Sequence, residues 1–168
     1  RFEFTKRNRP DIVISEWSGY TSLDIYIDDK DFILMVKEYE LTRDNVNKEL
    51  AGTFSFLNLT YLERNYFLGL GKDWHRYPLI NNDGRVAVLE CSCCIPGCSP
   101  LLAEVVVDTN TVTWQKLGRR RMGYEGFGPF TFGRQQYENE LVKMANMLVS
   151  NSPQSPPRRK RKKTRVLN

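Results

Sequence analysis

The chain has 168 residues, 40% of them apolar and 12% aromatic, which suits one domain with a well-filled core. No apolar run approaches the roughly 18 residues of a membrane-spanning helix, and the opening Arg1-Phe-Glu-Phe-Thr-Lys-Arg lacks the continuous apolar stretch of a secretory signal. The formal charge of +5 is concentrated at one end: Arg158, Arg159, Lys160, Arg161, Lys162, Lys163 and Arg165 carry seven positive charges, which leaves −2 for residues 1–150 and excludes a broad phosphate-binding face on the fold itself.

Arg1 in place of Met points to a processed or trimmed start. Phe2 and Phe4 alternate with charged residues and read as an edge strand, and Ile12-Val-Ile14 reads as a second short one. Leu23, Ile25 and Ile27 alternate with Asp24, Tyr26 and Asp28, the period-two pattern of a half-buried strand. Asp28-Asp-Lys-Asp31 predicts a turn, with the Asp31 carboxylate placed to accept the open N–H groups of a following helix. Phe32, Ile33, Val36 and Tyr39 give that helix one apolar face, to about Leu41. Between residues 42 and 80, Gly69, Gly71 and Pro78 argue against a long helix. The aromatics Phe54, Phe56, Tyr61, Tyr66 and Phe67 predict irregular chain pinned to the core.

Arg85–Leu89, Leu101–Val107 and Val112–Leu117 predict a three-strand antiparallel meander, closed at one connection by the cysteine segment and at the other by the Asp108–Thr111 turn. A glycine-rich loop (118–128) leads to a last short strand, Pro129–Phe132. Tyr137, Leu141, Met144, Ala145 and Leu148 then form one stripe of a closing helix, with Gly133 at its N-cap. The expected fold is α+β: an antiparallel sheet, made of the meander 85–117 and the N-terminal strands, with the C-terminal helix packed on one face. Residues 1–149 make the single domain. Residues 150–168, a Ser/Pro-rich linker and the basic run, have nothing to bury and are expected to be disordered.

All four cysteines fall in eight residues, Cys91-Ser-Cys93-Cys94-Ile-Pro-Gly-Cys98. Three chemistries compete for them. Zinc takes four ligands, and structural sites bring two pairs from separate turns with about two to four residues inside each pair. Here the separations are one, none and three residues. Adjacent Cys93 and Cys94 point to opposite sides of an extended backbone. One loop then supplies Cys91, Cys93 and Cys98, and His75, the single histidine, is the candidate fourth ligand. Thiol–disulfide exchange is the second chemistry, across Cys94–Cys98 or Cys91–Cys98, although Glu90 works against a low thiol pKa. In the third reading, which leads, the cysteines are reduced, partly buried small residues that pack a tight strand connection. Pro96-Gly97 turns the chain in all three.

Other charged groups carry less. Trp74 beside His75 favours a half-buried structural histidine. Asp28, Asp29 and Asp31 lack the glycine and closing glutamate of a calcium loop, so a capped turn is expected. Arg119-Arg-Arg121 and the aromatic, glycine-rich stretch after it read as a solvated loop with its aromatics inward; the alternative is stacking on bases. The basic tail reads as a nucleic-acid-binding arm, an import signal or a solubilising end, and as an arm it binds polyanions with strong salt dependence.

Three strings carry a likeness. Cys91-x-Cys93-Cys94-x-x-Gly97-Cys98-x-Pro100-Leu101-Leu-Ala103, Val112-x-Trp114, and Tyr124-x-Gly126-x-Gly128-Pro129-Phe-x-Phe132-x-Arg134-x-Gln136-Tyr137 resemble a family of small uncharacterised bacterial proteins. That family has a G-C-x-C-G-x-x-G-C-x-P-L loop, a V-x-W strand and a G-P-F-x-F-x-R-x-Q-Y entry to the final helix. Phe32–Leu41, with Glu38-Tyr39-Glu40, and Leu50-Ala51-Gly52 are also similar, so the likeness spans roughly residues 1–149. It implies a bacterial, cytoplasmic protein and no particular activity. Cys94 stands where the family loop has glycine, which singles out Cys91, Cys93 and Cys98. Lys116–Met122 lacks the family's Pro-His-Arg, which weakens a role for histidine.

The expected function is a non-enzymatic cytoplasmic accessory or protein-interaction domain with a structural cysteine loop and no membrane partner. The alternatives are a zinc-binding or thiol-redox responsive protein, and a nucleic-acid-associated protein that works through its tail.

Overall fold

β1 (Phe2–Ile14) and β2 (Trp17–Ile27) form a long antiparallel hairpin. The two short strands expected at 2–4 and 12–14 are therefore one, and the strand expected at Leu23–Ile27 begins at Trp17. Pro10 has no N–H to give to a ladder. The pairing runs to Arg9↔Tyr20, shifts, and resumes at Val13↔Ser18, so the proline falls inside the irregularity. The structure, a computed structural model, describes residues 1–14, 17–44, 46–55, 57–58, 84–92 and 98–149.

Asp28 and Asp29 make the turn after β2 with φ of 50° and 61°, a left-handed conformation that aspartate tolerates better than most residues. The short β3 (Lys30–Asp31) pairs back on β2, and α1 (Phe32–Leu41) follows at once. Asp31 caps it, its Oδ1 accepting the N–H of Ile33 at 2.8 Å and of Leu34 at 3.3 Å. The acidic run is a capped turn, as expected. A short 3₁₀ turn, Lys48–Leu50, comes next.

Within the region expected to be irregular lie two short strands, β4 (Phe54–Ser55) and β5 (Leu57–Asn58). They pair in opposite directions of the fold. β5 joins β2 through Leu23↔Leu57, while β4 joins β6 (Val86–Cys91) through Phe54↔Cys91 and Ser55↔Glu90. Neither is long enough to show a period, and each exists because a longer strand supplies its partner.

The second sheet has the order β10-β8-β7-β6-β4, with β7 at Leu101–Val107, β8 at Thr111–Arg119 and β10 at Phe130–Gly133; β9 (Met122–Gly123) folds back on the end of β8. The predicted meander is its centre. α2 (Arg134–Val149) is the last described element and lays Tyr137, Leu141 and Met144 on the core, all fully buried. Ala145 and Leu148 lie outside the described side chains. Helix and sheets meet in an aromatic cluster of Phe2, Phe32, Trp114, Phe132 and Tyr137, with neighbouring ring centroids 4.6–5.8 Å apart. Each such ring contributes roughly 1.5–3 kcal/mol by burial. The two polar tips satisfy each other, Trp114 Nε1 donating to Tyr137 Oη at 3.0 Å.

Gln136, at the start of α2, occupies the open edge of β1. Its Oε1 accepts the N–H of Phe2 at 3.2 Å and its Nε2 donates to the Phe2 carbonyl, so one carboxamide bonds to β1 as the peptide of a neighbouring strand would. Among the described residues no helix is long and apolar enough to cross a membrane.

Candidate functional site

The cysteine connection leaves β6 at Cys91, which is half-buried, and returns at Cys98, which is exposed, two residues before the buried Pro100. Of the predicted ligand set, the structure places these two, one at each end of the connection. Cys93, Cys94 and His75 lie outside the described residues, as does the basic run from Arg158 to Arg165. Among the described residues no three His, Cys, Asp or Glu side chains gather to hold a metal ion.

What fixes the two ends is a buried polar cluster. On entry, the Ser92 N–H donates to the Thr53 carbonyl at 3.1 Å. On exit, the Ser99 hydroxyl accepts from Arg119 Nη1 at 3.2 Å. Both bonds lead to one carboxylate. Glu40 is fully buried; its Oε2 accepts the Gly52 N–H at 2.7 Å, just before Thr53. Its Oε1 accepts from Arg119 Nη2 at 2.9 Å and Nε at 3.2 Å, and from the Tyr124 hydroxyl. The Arg119 guanidinium also lies over the Phe54 ring, 4.3 Å from its centroid, opposite Cys91 in the β4–β6 ladder.

Each member reaches the cluster for a local reason. Phe32, Val36 and Glu40 recur every four residues, so the glutamate lies on the same buried stripe of α1 as the two apolar residues. Gly52 has φ +70°, and a Cβ there would come within 2.6 Å of the Lys37 Cβ, so only glycine lets this backbone lie against α1 and offer its N–H to Glu40. Arg119 is turned inward by a bulge. Along β8, Val112 and Trp114 face the core and Thr111 and Thr113 do not; Gln115 and Lys116 then both face out, Lys116 with φ 49°, and the register against β7 shifts between Leu102 and Glu104. The extra residue inverts the alternation, so Leu117 and Arg119 point inward.

The electrostatics make this a closed unit. Burial, and then the hydrogen bond to Glu40, hold the Tyr124 hydroxyl well above the ordinary tyrosine value, so it stays a proton donor. Burial pulls the Arg119 pKa down, but its hydrogen bonds to Tyr124 and Glu40 outweigh that and leave it raised, so it stays a cation. Around them Tyr39 and Tyr124 pack at 5.2 Å between centroids, and the Tyr39 hydroxyl donates to the Glu125 carbonyl at 2.7 Å.

Arg119 corrects the expectation of a solvated Arg119–Arg121 loop. Arg120 and Arg121 are exposed, but Arg119 is the last residue of β8 and a member of the buried cluster. Glu40 was legible in principle, four residues after Val36 on the predicted face. The inward turn of Arg119 shows only indirectly, in the apolar spacing of β8, which goes from two residues (Val112 to Trp114) to three (Trp114 to Leu117) at the bulge.

The same bulge shapes a second feature. A cleft of about 550 Å³ opens between the outer side of β8 and the glycine-rich turn, with Arg85, Glu104, Gln115 and Lys116 on one wall and Phe127 and Pro129 on the other. Its polar groups hold one another. Glu104 Oε2 accepts from Gln115 Nε2 at 2.8 Å and pairs with Lys116 Nζ at 3.0 Å, and Arg85 donates to the Lys116 carbonyl at 3.4 Å.

No family model, curated protein or solved structure matches this chain.

Proposed function

We propose that the protein is a non-enzymatic accessory domain that works by binding, with the cysteine connection a structural element whose two described ends are anchored. The observation behind this reading is the closure of the Glu40 cluster. Both carboxylate oxygens are engaged, and the hydrogen bonds of the cluster run to one another and to the two ends of the connection. A general acid or base needs a reachable position for the reacting proton; this carboxylate instead anchors backbone and a neighbouring strand. The likeness to small bacterial proteins supports a bacterial, cytoplasmic setting for such a domain. A metal- or thiol-based role through Cys91, Cys93 and Cys98 is the second reading, favoured by the exposure of Cys98, since a cysteine used only for packing is among the most buried residue types.

Native mass spectrometry of freshly purified protein, with and without reductant, tests this. The structural reading expects the bare reduced mass under both conditions. A gain of one zinc ion, or a loss of two hydrogens that reductant reverses, overturns it and moves the function to the thiols.

A further inference from the structure

We propose that the outer face of α1 is a self-association surface that pairs with the same face of a second copy of this chain. This is independent of the cysteine reading, because the face lies opposite the stripe that carries Glu40.

Leu34, Leu41 and Leu50 are 56%, 41% and 55% exposed, three of the four large apolar side chains that the described residues leave in solvent. At about 100° per residue, Leu34 and Leu41 lie within about 20° of each other around α1, directly away from Phe32, Val36 and Glu40. Lys37 and Glu38 flank that leucine line, roughly 50° to either side of it. Both are exposed, and among the described residues neither makes an ion pair. The turn at 48–52 lies against α1 at Lys37, where Gly52 makes its close approach, and it carries the exposed Leu50.

The order of these charges identifies the occupant. A two-fold axis parallel to α1 stacks Leu34 on its own copy and Leu41 on its own copy, and it exchanges left and right. Lys37 then faces Glu38 of the partner subunit on one flank, and Glu38 faces Lys37 of the partner subunit on the other. An antiparallel two-fold brings Lys37 against its own copy and sets like charges together. The face is thus self-complementary in the parallel sense, which is what an isologous contact requires. A ten-residue helix is about 15 Å long, so the contact belongs with small, rapidly exchanging interfaces.

Sedimentation velocity on the whole chain between about 10 and 500 μM, the range suited to small interfaces, reads this directly. The expected result is a dimer that grows with concentration and disappears in Leu34→Lys. Lys37→Glu and Glu38→Lys each place like charges on both flanks and should weaken association about tenfold, given the modest worth of exposed pairs. Mixing these two variants in equal amounts should restore dimer, and so should the exchanged double variant K37E/E38K. All these positions are exposed, and unchanged melting curves separate lost association from lost fold. A wild-type chain that stays monomeric throughout, a dimer that survives Leu34→Lys, or single variants that fail to recover on mixing would overturn the proposal.

Discussion

Replacing Glu40 and Arg119 by methionine, singly and together, tests whether the buried cluster is one unit. In Glu40→Met the guanidinium of Arg119, whose side chain is 19% exposed, loses its counter-ion, and Gly52 N–H and Tyr124 Oη lose their acceptor. Removing one partner of a buried pair costs about 3–5 kcal/mol; the residual exposure of Arg119 places this variant near 3 kcal/mol. Arg119→Met strands a fully buried carboxylate that keeps two neutral donors, and should cost about the same. The double variant carries neither charge. Its remaining penalty is the unsatisfied Gly52 and Tyr124 donors, about 2–3 kcal/mol in total, far less than the roughly 6 kcal/mol sum of the single variants. Urea denaturation gives these values, and each single variant should melt about 6–12 °C lower for a chain of this size. Hydrogen exchange adds a local readout: the Ser92 amide, bonded to the Thr53 carbonyl, should exchange faster in all three variants. Strict additivity within about 0.5 kcal/mol would refute the reasoning, as would single effects below about 1 kcal/mol.

Tyr137→Phe removes the acceptor of the Trp114 indole N–H without changing core volume, and the urea midpoint should report a loss of about 1–2 kcal/mol. Tyr137 is held well above the ordinary tyrosine value of about 10 by burial, which the Trp114 hydrogen bond only partly offsets, and Tyr124 by burial and Glu40. The folded state therefore keeps protons that the unfolded chain releases. Their stabilisation is complete below about pH 10 and falls above it, by up to about 1.4 kcal/mol per pH unit for each tyrosine. Urea midpoints from about pH 8 to about pH 11 measure this; Tyr137→Phe should reduce the alkaline slope by about half, and a flat profile above pH 10 contradicts the assignment. Gly52→Ala and Gly84→Ala separate clash from backbone strain. Both have positive φ, 70° and 81°, but only at Gly52 does the new Cβ meet Lys37, so Gly84→Ala should cost about 1 kcal/mol and Gly52→Ala at least twice that in thermal melts.

The elements that were legible in the residue pattern are those whose partners are near in sequence or whose period is long. α1, its Asp31 cap, the three meander strands and the Tyr137–Leu141–Met144 stripe all meet that condition. β4 and β5 do not: two residues cannot display a period, and their partners lie some thirty residues away in either direction, at Leu23 and at Glu90–Cys91. β1 read as two short strands because residues 5–11, Thr-Lys-Arg-Asn-Arg-Pro-Asp, have no large apolar side chain to carry the alternation through. At the site, the cysteine run stands out, but what holds it does not. Glu40 falls on the predicted apolar face of α1, but a lone charge there does not show that it is buried, and Arg119 opens a basic triplet whose other two members are exposed. Burial of a charge is decided by what closes over it, and here that is Gly52 and Tyr124, which are 12 and 84 residues from Glu40.

The carboxamide of Gln136 on Phe2 joins residues 134 positions apart, and that separation has a meaning for the growing chain. The outward N–H and C=O of Phe2 are open when β1 is made, and the residue that seals them is not yet made. At about 5–20 residues per second, the wait is roughly 7–27 s. An open strand edge is a template for pairing with other chains, so a translational pause anywhere before Gln136 prolongs the period in which nascent copies can join edge to edge. Gln136 is thus a late-arriving lid for the start of β1, and the speed of synthesis enters the yield of folded protein alongside its stability.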